Sequence, residues 1–245
     1  MQTSETLPLD ECVPRTILLL GKMGHGSSTL GNRILNSDGW FKINDQRYPL
    51  TTHGSSMIRS ASQLKDYKLE VFDHSGLFEG ASSIKELSSA VSEELNLVIF
   101  VLKHGHHFDE SEVSILKSVV SEWRISRISA LVLTHCERLS EEERGEMIEQ
   151  FKKDHPSIAK LMGKGILAVG FPDSSHIQPG SPLSQRVEED EASLRQLIYS
   201  CDELKFIPQK INRQPCQNEK ESPPQKEKEH PHLNENRRRL CCSIL

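Results

Sequence analysis

The chain has 245 residues, of which 30 are Lys or Arg and 35 are Asp or Glu, so its formal net charge is -5. This length suits one α/β domain with tails, and a mildly acidic balance argues against nucleic acid as a partner. The longest apolar run, LVIFVL (97–102), is much shorter than the about 20 residues of a membrane-spanning helix, and no secretory signal is expected. The six cysteines have neither zinc-ribbon nor disulfide-framework spacing. We therefore expect a soluble body in a reducing compartment.

Five short apolar runs predict buried β-strands. They are RTILLLG (15–21), KLEVFDHSG (68–76), LNLVIFVLK (95–103), ISALVLT (128–134) and GILAVG (165–170). Continuous apolar runs of this length are typical of strands that are covered on both faces of a parallel sheet.

Segments with helical periodicity separate these strands. DESEVSILKSVVSEW (109–123) begins with acidic residues, and SEEERGEMIEQFKKDH (140–155) begins with the capping box Ser140 and Glu143. A third helix is predicted within EDEASLRQLIYSCDELKFI (189–207). The apolar positions at helical spacing are Val113, Leu116, Val119, Val120 and Trp123 in the first segment and Leu194, Leu197, Ile198, Cys201 and Leu204 in the third. Alternating strands and helices predict an α/β fold, a mostly parallel sheet with helices on both faces.

The composition predicts four regions along the chain. Residues 1–14 form a flexible N-terminal lead, and residues 15–210 form the α/β domain. Residues 211–240 are polar and interrupted by prolines, so they cannot bury enough surface to fold and are predicted to be a disordered linker. Residues 241–245 form a separate C-terminal motif.

The segment GKMGHGSSTLGN (21–32) follows the first predicted strand and resembles a phosphate-binding loop. Gly21 and Gly26 have the spacing of the pattern G-x-x-x-x-G-K-[ST], and Ser28 stands where a hydroxyl binds Mg²⁺. Ser27 replaces the lysine, which should weaken both triphosphate binding and transition-state stabilisation. The alternative is a glycine-rich turn that binds nothing. The residues predicted to line the nucleotide are Gly21, Lys22, Met23, Gly24, His25, Gly26, Ser27, Ser28 and Thr29.

The segment DHSG (73–76) provides a second signal after a buried strand. In P-loop proteins such an aspartate orders the Mg²⁺ shell, and the glycine donates its N–H to the γ-phosphate, so Asp73 and Gly76 are candidates. Thr51, in YPLTTHGS, is the candidate switch hydroxyl for Mg²⁺ and the γ-phosphate. Leu77 stands where many GTPases have a water-orienting glutamine, so no hydrolytic residue is evident there.

The segment THCE (134–137) provides a third signal after the next strand. A guanine site needs a carboxylate that accepts from the ring N1–H and the exocyclic amine, and Glu137 is placed for this role. Adenine presents no such pair of donors, so Glu137 argues against an ATPase. Cys136 is predicted to be a packed residue, because no base that could activate it is evident.

Together these motifs resemble the immunity-associated nucleotide-binding GTPases, the GIMAP/IAN family with an AIG-type G domain, over residues 15–204. The resemblance depends on the first loop with its terminal G-N pair, on VLTHCERL (132–139), and on HHFDESEVSILKSV (106–119). It implies a P-loop G domain that binds GTP or GDP with Mg²⁺, hydrolyses slowly, forms homo-oligomers with GTP and is often membrane-anchored. By position, Gly21, Gly24, Gly26 and Ser28 would hold phosphates and Mg²⁺, Thr51, Asp73 and Gly76 would be switch contacts, and His135 and Glu137 would contact guanine.

Two departures from the family pattern leave two functional hypotheses open. Ser27 occupies the lysine position, and GILAVGFPD (165–173) lacks the usual asparagine of the fifth base-contacting loop. The first hypothesis is a membrane-tethered GTP/GDP switch or self-assembling GTPase. The second, favoured by Ser27 and Leu77, is a pseudo-GTPase scaffold on membranes.

The last four residues form the prenylation pattern C-a-a-X. Its terminal Leu245 favours geranylgeranylation of Cys242, and Cys241 is available for palmitoylation. RRR (237–239) would add attraction to an anionic leaflet. The alternative is a chance C-terminal cysteine. We expect a cytoplasmic protein held peripherally on a membrane by this lipid anchor.

Two further features are interpreted without a role in ligand binding. His104, His106 and His107 suggest a metal site, but no other ligands complete a tetrahedral set, so a solvated loop is predicted. Trp40 and Phe41 are predicted to pack or to belong to a switch region.

Overall fold

The computed structural model describes residues 13–37, 41, 57–64, 67–75, 78, 87 and 94–201. Its centre is a six-stranded sheet in the order β2-β3-β1-β4-β5-β6, in which β2 is antiparallel to β3 and the other five strands are parallel. The predicted, mostly parallel sheet is therefore confirmed. The strands are β1 (Val13–Gly21), β2 (Met57–Leu64), β3 (Tyr67–Ser75), β4 (Leu97–Lys103), β5 (Ser129–Thr134) and β6 (Ile166–Ala168).

Five α-helices are described. Asp109 and Glu112 form a capping box at the start of α2, and Ser140 and Glu143 form the predicted one at the start of α3. These caps satisfy backbone N–H groups that a helix leaves unpaired in its first turn. The helices are α1 (Ser27–Ile34), α2 (Glu110–Glu122), α3 (Glu141–Asp154), α4 (Pro156–Ala159) and α5 (Pro182–Tyr199).

The helices cover both faces of the sheet. Along β1, Leu18 and Leu20 pack in one apolar cluster with residues of α2, while Ile17 and Leu19 pack in the other with residues of α1 and α5. Alternation of this kind is what a strand covered on both faces requires. The predicted apolar face of α2 is buried at Leu116, Val119 and Val120, and Trp123 just beyond the helix is buried as well.

Element boundaries differ from the predictions at several places. β1 begins at Val13, so Val13 and Pro14 belong to the strand rather than to the lead, because they pair with β3. α5 begins at Pro182 rather than near residue 189, since the Ser181 hydroxyl caps it. The edge strand β2 and the short α4 were not predicted. The rest of the lead, the linker, the C-terminal motif and Leu204 lie outside the described residues.

The parallel strands bring the three motifs to one edge of the sheet. β1 ends at Gly21, β3 at Ser75 and β5 at Thr134, and the carboxyl ends of parallel strands share one edge. Ligands of open α/β sheets bind at this edge. None of the described helices is both long and apolar enough to cross a membrane.

Candidate nucleotide-binding site

The loop between β1 and α1 has the backbone shape of an anion cradle. Gly24 and Gly26 have positive φ angles of 80° and 85°, a region that glycine adopts without strain. Gly26 is the N-cap of α1, and no acidic residue lies in the first turn. The free N–H groups and the dipole at this helix terminus favour a phosphate.

Ser28 and Asp73 lie together beside this loop. Ser28 Oγ donates to Asp73 Oδ2 at 2.7 Å, and the Asp73 side chain is almost completely buried. Burial raises the pKa of Asp73, while the hydroxyls of Ser28 and Ser27 oppose that shift. Asp73 Oδ1 is buried without a hydrogen-bond partner in the described part of the chain. A hydroxyl and a carboxylate oxygen that lacks a donor are the hard ligands that suit Mg²⁺, so the residues present fit this ion.

Lys22 forms an ion pair with a buried carboxylate on α2. Its Nζ lies 3.0 Å from Glu112 Oε1, and His106 Nε2 lies 2.8 Å from Glu112 Oε2. The backbone N–H of Asp109 donates to the same Oε2 at 3.2 Å. Lys22 was predicted among the residues that line the nucleotide, and its amine is paired with Glu112. Met23, the next residue of the loop, is 51% exposed.

His25 and Ser27 face the protein interior. The His25 ring meets the His106 ring edge-on, with centroids 4.6 Å apart, and only 7% of His25 is exposed. Burial, followed by the proximity of His106 and Lys22, lowers the pKa of His25 to about 4, so this histidine is neutral at pH 7. Ser27 is 4% exposed, which means that the position of the missing lysine is enclosed.

The loop after β5, residues 134–139, contacts the loop after β1. Thr134 Oγ1 donates to the carbonyl of His25 at 2.6 Å. A Cβ on Gly26 would lie 3.4 Å from His135 Cε1, so the two loops are in contact. We call residues 134–139 the base loop.

A pocket lies where these two loops meet. Glu137 Oε2 is buried there and has no hydrogen-bond partner among the described residues. An unpaired buried carboxylate oxygen is costly unless a donor reaches it, and a ligand that carries N–H groups would supply one. The residues that line the pocket are Gly26, Thr29, Thr134, His135, Glu137 and Phe171.

A second loop, residues 169–171, packs against the base loop. Cys136 N donates to the carbonyl of Val169 at 3.1 Å. A Cβ on Gly170 would lie 2.2 Å from Glu137 N, so only glycine allows this approach. Cys136 is buried, and burial raises the pKa of its thiol to about 11, so it is protonated and packed at neutral pH.

Sequence reasoning missed several residues of this site. Phe171 belongs to the stretch in which no base contact could be assigned, and the structure places it in the pocket wall. Arg144, Asp190 and Arg186 contact the two loops from α3 and α5. Their only sequence signal is a charged position in an amphipathic helix, which is usually a solvated position.

The G-N pair at the end of the first motif has a packing role. The Asn32 amide donates to the Phe41 carbonyl at 2.8 Å and accepts from the Phe41 N–H at 2.7 Å. A Cβ on Gly31 would lie 2.7 Å from the Phe41 ring, so glycine makes room for this buried side chain. Phe41 therefore packs, which was one of its two predicted roles.

Other candidate residues lie outside the described part of the chain. They are Trp40, Thr51, Gly76, Leu77, Cys241 and Cys242. His104 and His107 are exposed, and the described residues contain no cluster of three or more histidine, cysteine or acidic side chains placed to hold a metal.

The parallel sheet, the glycine-rich loop that caps α1, and the Ser28–Asp73 pair define a P-loop domain with the fold of GTPase G domains. Residues 15–172 match the AIG1 family, and the chain belongs to that family. Immune-associated nucleotide-binding protein 12 of Arabidopsis thaliana is 24% identical over 163 residues, which cover 64% of this chain and 41% of that protein. The chain thus spans about two fifths of the length of this relative.

Solved structures share the fold at low sequence identity. Toc33 from Arabidopsis thaliana in complex with GDP and Mg²⁺ has a TM-score of 0.56 at 15% identity, over 80% of this chain and 88% of that one. Translation elongation factor SelB from Methanococcus maripaludis, in complex with the GTP analogue GPPNHP, has a TM-score of 0.51 at 16% identity, over 78% and 34%. At these identities the likeness shows the fold alone.

Proposed function

We propose that this chain binds GTP and GDP together with Mg²⁺. The observation that carries the proposal is the buried, unpartnered Glu137 Oε2 in the pocket beside the N-terminus of α1. Guanine presents an N1–H and an exocyclic amine, and both can donate a hydrogen bond to the same carboxylate. Membership of the AIG1 family, and relatives of the same fold that bind guanine nucleotides, support the same choice.

Each half of the nucleotide has its own set of residues in this proposal. Backbone N–H groups of the loop around Gly24 and Gly26 bind the phosphates, and Ser28 and Asp73 hold Mg²⁺. Bound Mg²⁺ supplies positive charge that neutralises the phosphate oxygens. Thr51 and Gly76 stay predicted switch contacts.

Base selectivity tests this proposal. Purified chain is titrated with labelled GDP and GTP in the presence of Mg²⁺, with ATP as competitor. We expect saturable binding that ATP does not displace, and weaker binding by about tenfold or more in Glu137→Gln, which loses the charged acceptor. Arg138→Gln, a change at the exposed neighbouring residue, serves as the control. Absence of any binding at high micromolar concentration would refute the proposal.

Hydrolysis and self-association are finer parts of the same proposal. In the solved structure of the chloroplast translocon components atToc33 and psToc159, with a TM-score of 0.58 and 17% identity, dimerisation is important for the GTPase activity. From the family resemblance, together with this precedent for dimerisation, we propose that this chain hydrolyses GTP slowly and forms a homo-oligomer in the GTP state. Light scattering with a non-hydrolysable GTP analogue should give a larger mass than with GDP. Equal masses in both states would contradict this part.

The pseudo-GTPase scaffold is a second candidate, favoured by Ser27. The position is enclosed, and the nearby Lys22 amine is bound to Glu112, so neither supplies the charge of a P-loop lysine here. Ser27→Lys should then raise GTP affinity about tenfold or more, through a charge-assisted contact to phosphate. Ser27→Met controls for side-chain length without the charge. Unchanged affinity in Ser27→Lys would mean that the wild-type loop is competent by another route.

Membrane attachment through Cys242 completes the proposal. A 20-carbon prenyl group contributes about 0.8 kcal/mol per buried CH₂, and the arginines at 237–239 add a smaller, salt-sensitive share. Cys241 palmitoylation would add a second chain. Fractionation of cells should find Cys242→Ser in the soluble fraction and wild type on membranes. Retention of the variant on membranes in high salt would place the anchor elsewhere.

A further inference from the structure

A buried ion pair joins the two loops that form the base side of the pocket. Arg144, in the first turns of α3, is 8% exposed, and Asp190, on α5, is 5% exposed. Arg144 Nη1 donates to Asp190 Oδ1 at 2.5 Å. The two residues lie 46 positions apart in the chain, on different helices.

Both partners also hold backbone atoms of these loops. Arg144 Nε and Nη2 donate to the Cys136 carbonyl at 3.2 and 2.8 Å. Asp190 Oδ2 accepts from the Gly170 N–H at 2.8 Å. A continuous path of hydrogen bonds therefore runs from the base loop through Arg144 and Asp190 to the second loop.

The residues that follow these two anchor points line the pocket. Glu137 follows Cys136, and Phe171 follows Gly170. The loops also touch directly, because Gly170 lies against Glu137 N. The groups that fix Cys136 and Gly170 therefore help to set the position of Glu137 relative to Phe171. Arg186 also contributes, because it donates to the Glu137 carbonyl at 3.2 Å.

A contribution to the stability of the fold does not by itself explain this ion pair. Removing two charges from water costs about as much as their attraction returns, so a buried ion pair is weak evidence for stability. The planar guanidinium of Arg144 and the carboxylate of Asp190 each make several hydrogen bonds at once, so they fix the orientation of the groups that they bind. A fixed direction is what a site that recognises a ligand by hydrogen bonds requires.

We propose that Arg144 and Asp190 are positioning residues for base recognition, which hold Glu137 and Phe171 in the arrangement that selects guanine. The inference rests on the proposed function and adds the determinant of its selectivity. Neither residue touches the nucleotide in this proposal. Both act through the backbone at Cys136 and Gly170.

The test measures selectivity between two bases rather than affinity alone. The 245-residue chain is titrated with labelled GDP, and unlabelled GDP and inosine diphosphate compete with it. Inosine lacks the exocyclic amine that would donate a hydrogen bond to Glu137. The ratio of the affinities for GDP and inosine diphosphate therefore reports how well Glu137 is placed. The variants are Asp190→Asn and Arg144→Lys, which keep the size or the charge. Glu191→Gln is the matched control, because this neighbouring carboxylate pairs with Arg33 and Arg195.

We expect wild type and Glu191→Gln to share one preference for GDP over inosine diphosphate. In Asp190→Asn and Arg144→Lys this preference should fall about tenfold, the loss expected for one hydrogen bond to a charged acceptor. A purely structural pair would lower the thermal midpoint and both affinities but leave their ratio unchanged. That outcome would overturn the inference, as would failure of both conservative variants to fold. If wild type binds no guanine nucleotide, the proposed function itself fails.

Discussion

The two halves of the candidate site are held in different ways. In the base half, residues 134–139 and 169–171, the buried Arg144 and Asp190 side chains hold the backbone of Cys136 and Gly170, and the half-buried Arg186 donates to the Glu137 carbonyl. In the phosphate half, residues 21–29 with Asp73, the Asp73 carboxylate accepts from the Ser28 hydroxyl. Its Oδ1, like Glu137 Oε2 in the base half, has no partner in the described part of the chain. The lysine position of this half is a serine.

This difference suggests how binding is divided. A preassembled loop loses little conformational entropy when a ligand arrives, so the base half is ready to recognise its ligand. The Asp73 carboxylate of the phosphate half keeps one buried oxygen without a donor, and a bound cation would remove the cost of burying it. We therefore expect the base half to set selectivity and the phosphate half to set dependence on Mg²⁺.

Asp73→Asn should break the phosphate half and produce the largest effect. We expect Mg²⁺-dependent nucleotide affinity to fall by about 10- to 100-fold, the usual loss for a residue that supports a metal. Titration with labelled GDP over a range of Mg²⁺ concentrations measures it. Glu70→Gln, on the same strand and paired with Lys68, is the control. If nucleotide binding by Asp73→Asn depends on Mg²⁺ as strongly as binding by wild type, Asp73 is not part of the metal site.

The same substitution should stabilise the ligand-free domain. The folded pKa of Asp73 is raised above its usual 3.8, so the folded state disfavours the charged form. Stability associated with this group is thus full below pH 3.8 and is lost as pH rises through the folded pKa. Asparagine removes this loss, so the variant should unfold at a higher urea concentration at pH 7, with no difference below pH 3.8. A variant less stable than wild type at pH 7 would contradict this explanation.

Glu112→Gln should weaken the contact that holds Lys22, in the loop of the phosphate half, against α2. The change removes a buried charge that binds Lys22 and His106, so we expect a loss of about 1–3 kcal/mol in the free energy of unfolding. Burial acts to raise the pKa of Glu112, but contacts with His106 and Lys22 bring it below the usual value. The loss should therefore be present above pH 4.5 and shrink as pH falls through the lowered pKa. Urea unfolding measures it, with the exposed Glu110→Gln as control; equal losses in the two variants would argue against this role of Glu112.

His25→Asn should give an effect that is confined to acid pH and absent at pH 7. Because the folded pKa of His25 is about 4 and its usual value is 6.5, protonation favours unfolding between these values. Wild type should lose stability as pH falls from 6.5 to 4, and the variant should lose less. Urea unfolding at several pH values provides the comparison, with the exposed His104→Asn as control. Identical pH profiles for wild type and His25→Asn would show that this histidine is not held neutral.

Local patterns predicted the sheet well where burial is complete. The runs around Leu18, Ile99 and Leu131 are apolar at nearly every position, because both faces of these strands are covered. The strand β2 was missed because half of the residues in MIRSASQL are polar, as those of an edge strand can be. The start of α5 was also missed, although Ser181 followed by Pro182 is a start signal in the sequence itself.

The site was predictable where a motif is contiguous. Gly26, Ser28 and Glu137 each lie within a few residues of the end of a strand, so spacing alone locates them at one edge of the sheet. Arg144 and Asp190 could not be found this way, because their partnership depends on how two helices pack and leaves no short pattern. Phe171 was missed for a related reason, since its place in the pocket depends on the close approach of Gly170 to Glu137.

The relative affinities of GDP, GTP, ADP and ATP in the presence of Mg²⁺ test most directly whether the base half sets recognition. With Ser27 in place of lysine, we expect GDP and GTP to bind within about tenfold of each other. Both should bind at least about a hundredfold more tightly than ADP and ATP, because adenine leaves Glu137 unpaired. If ATP competes as well as GTP, or if affinity follows the number of phosphates and ignores the base, recognition does not lie in the base half.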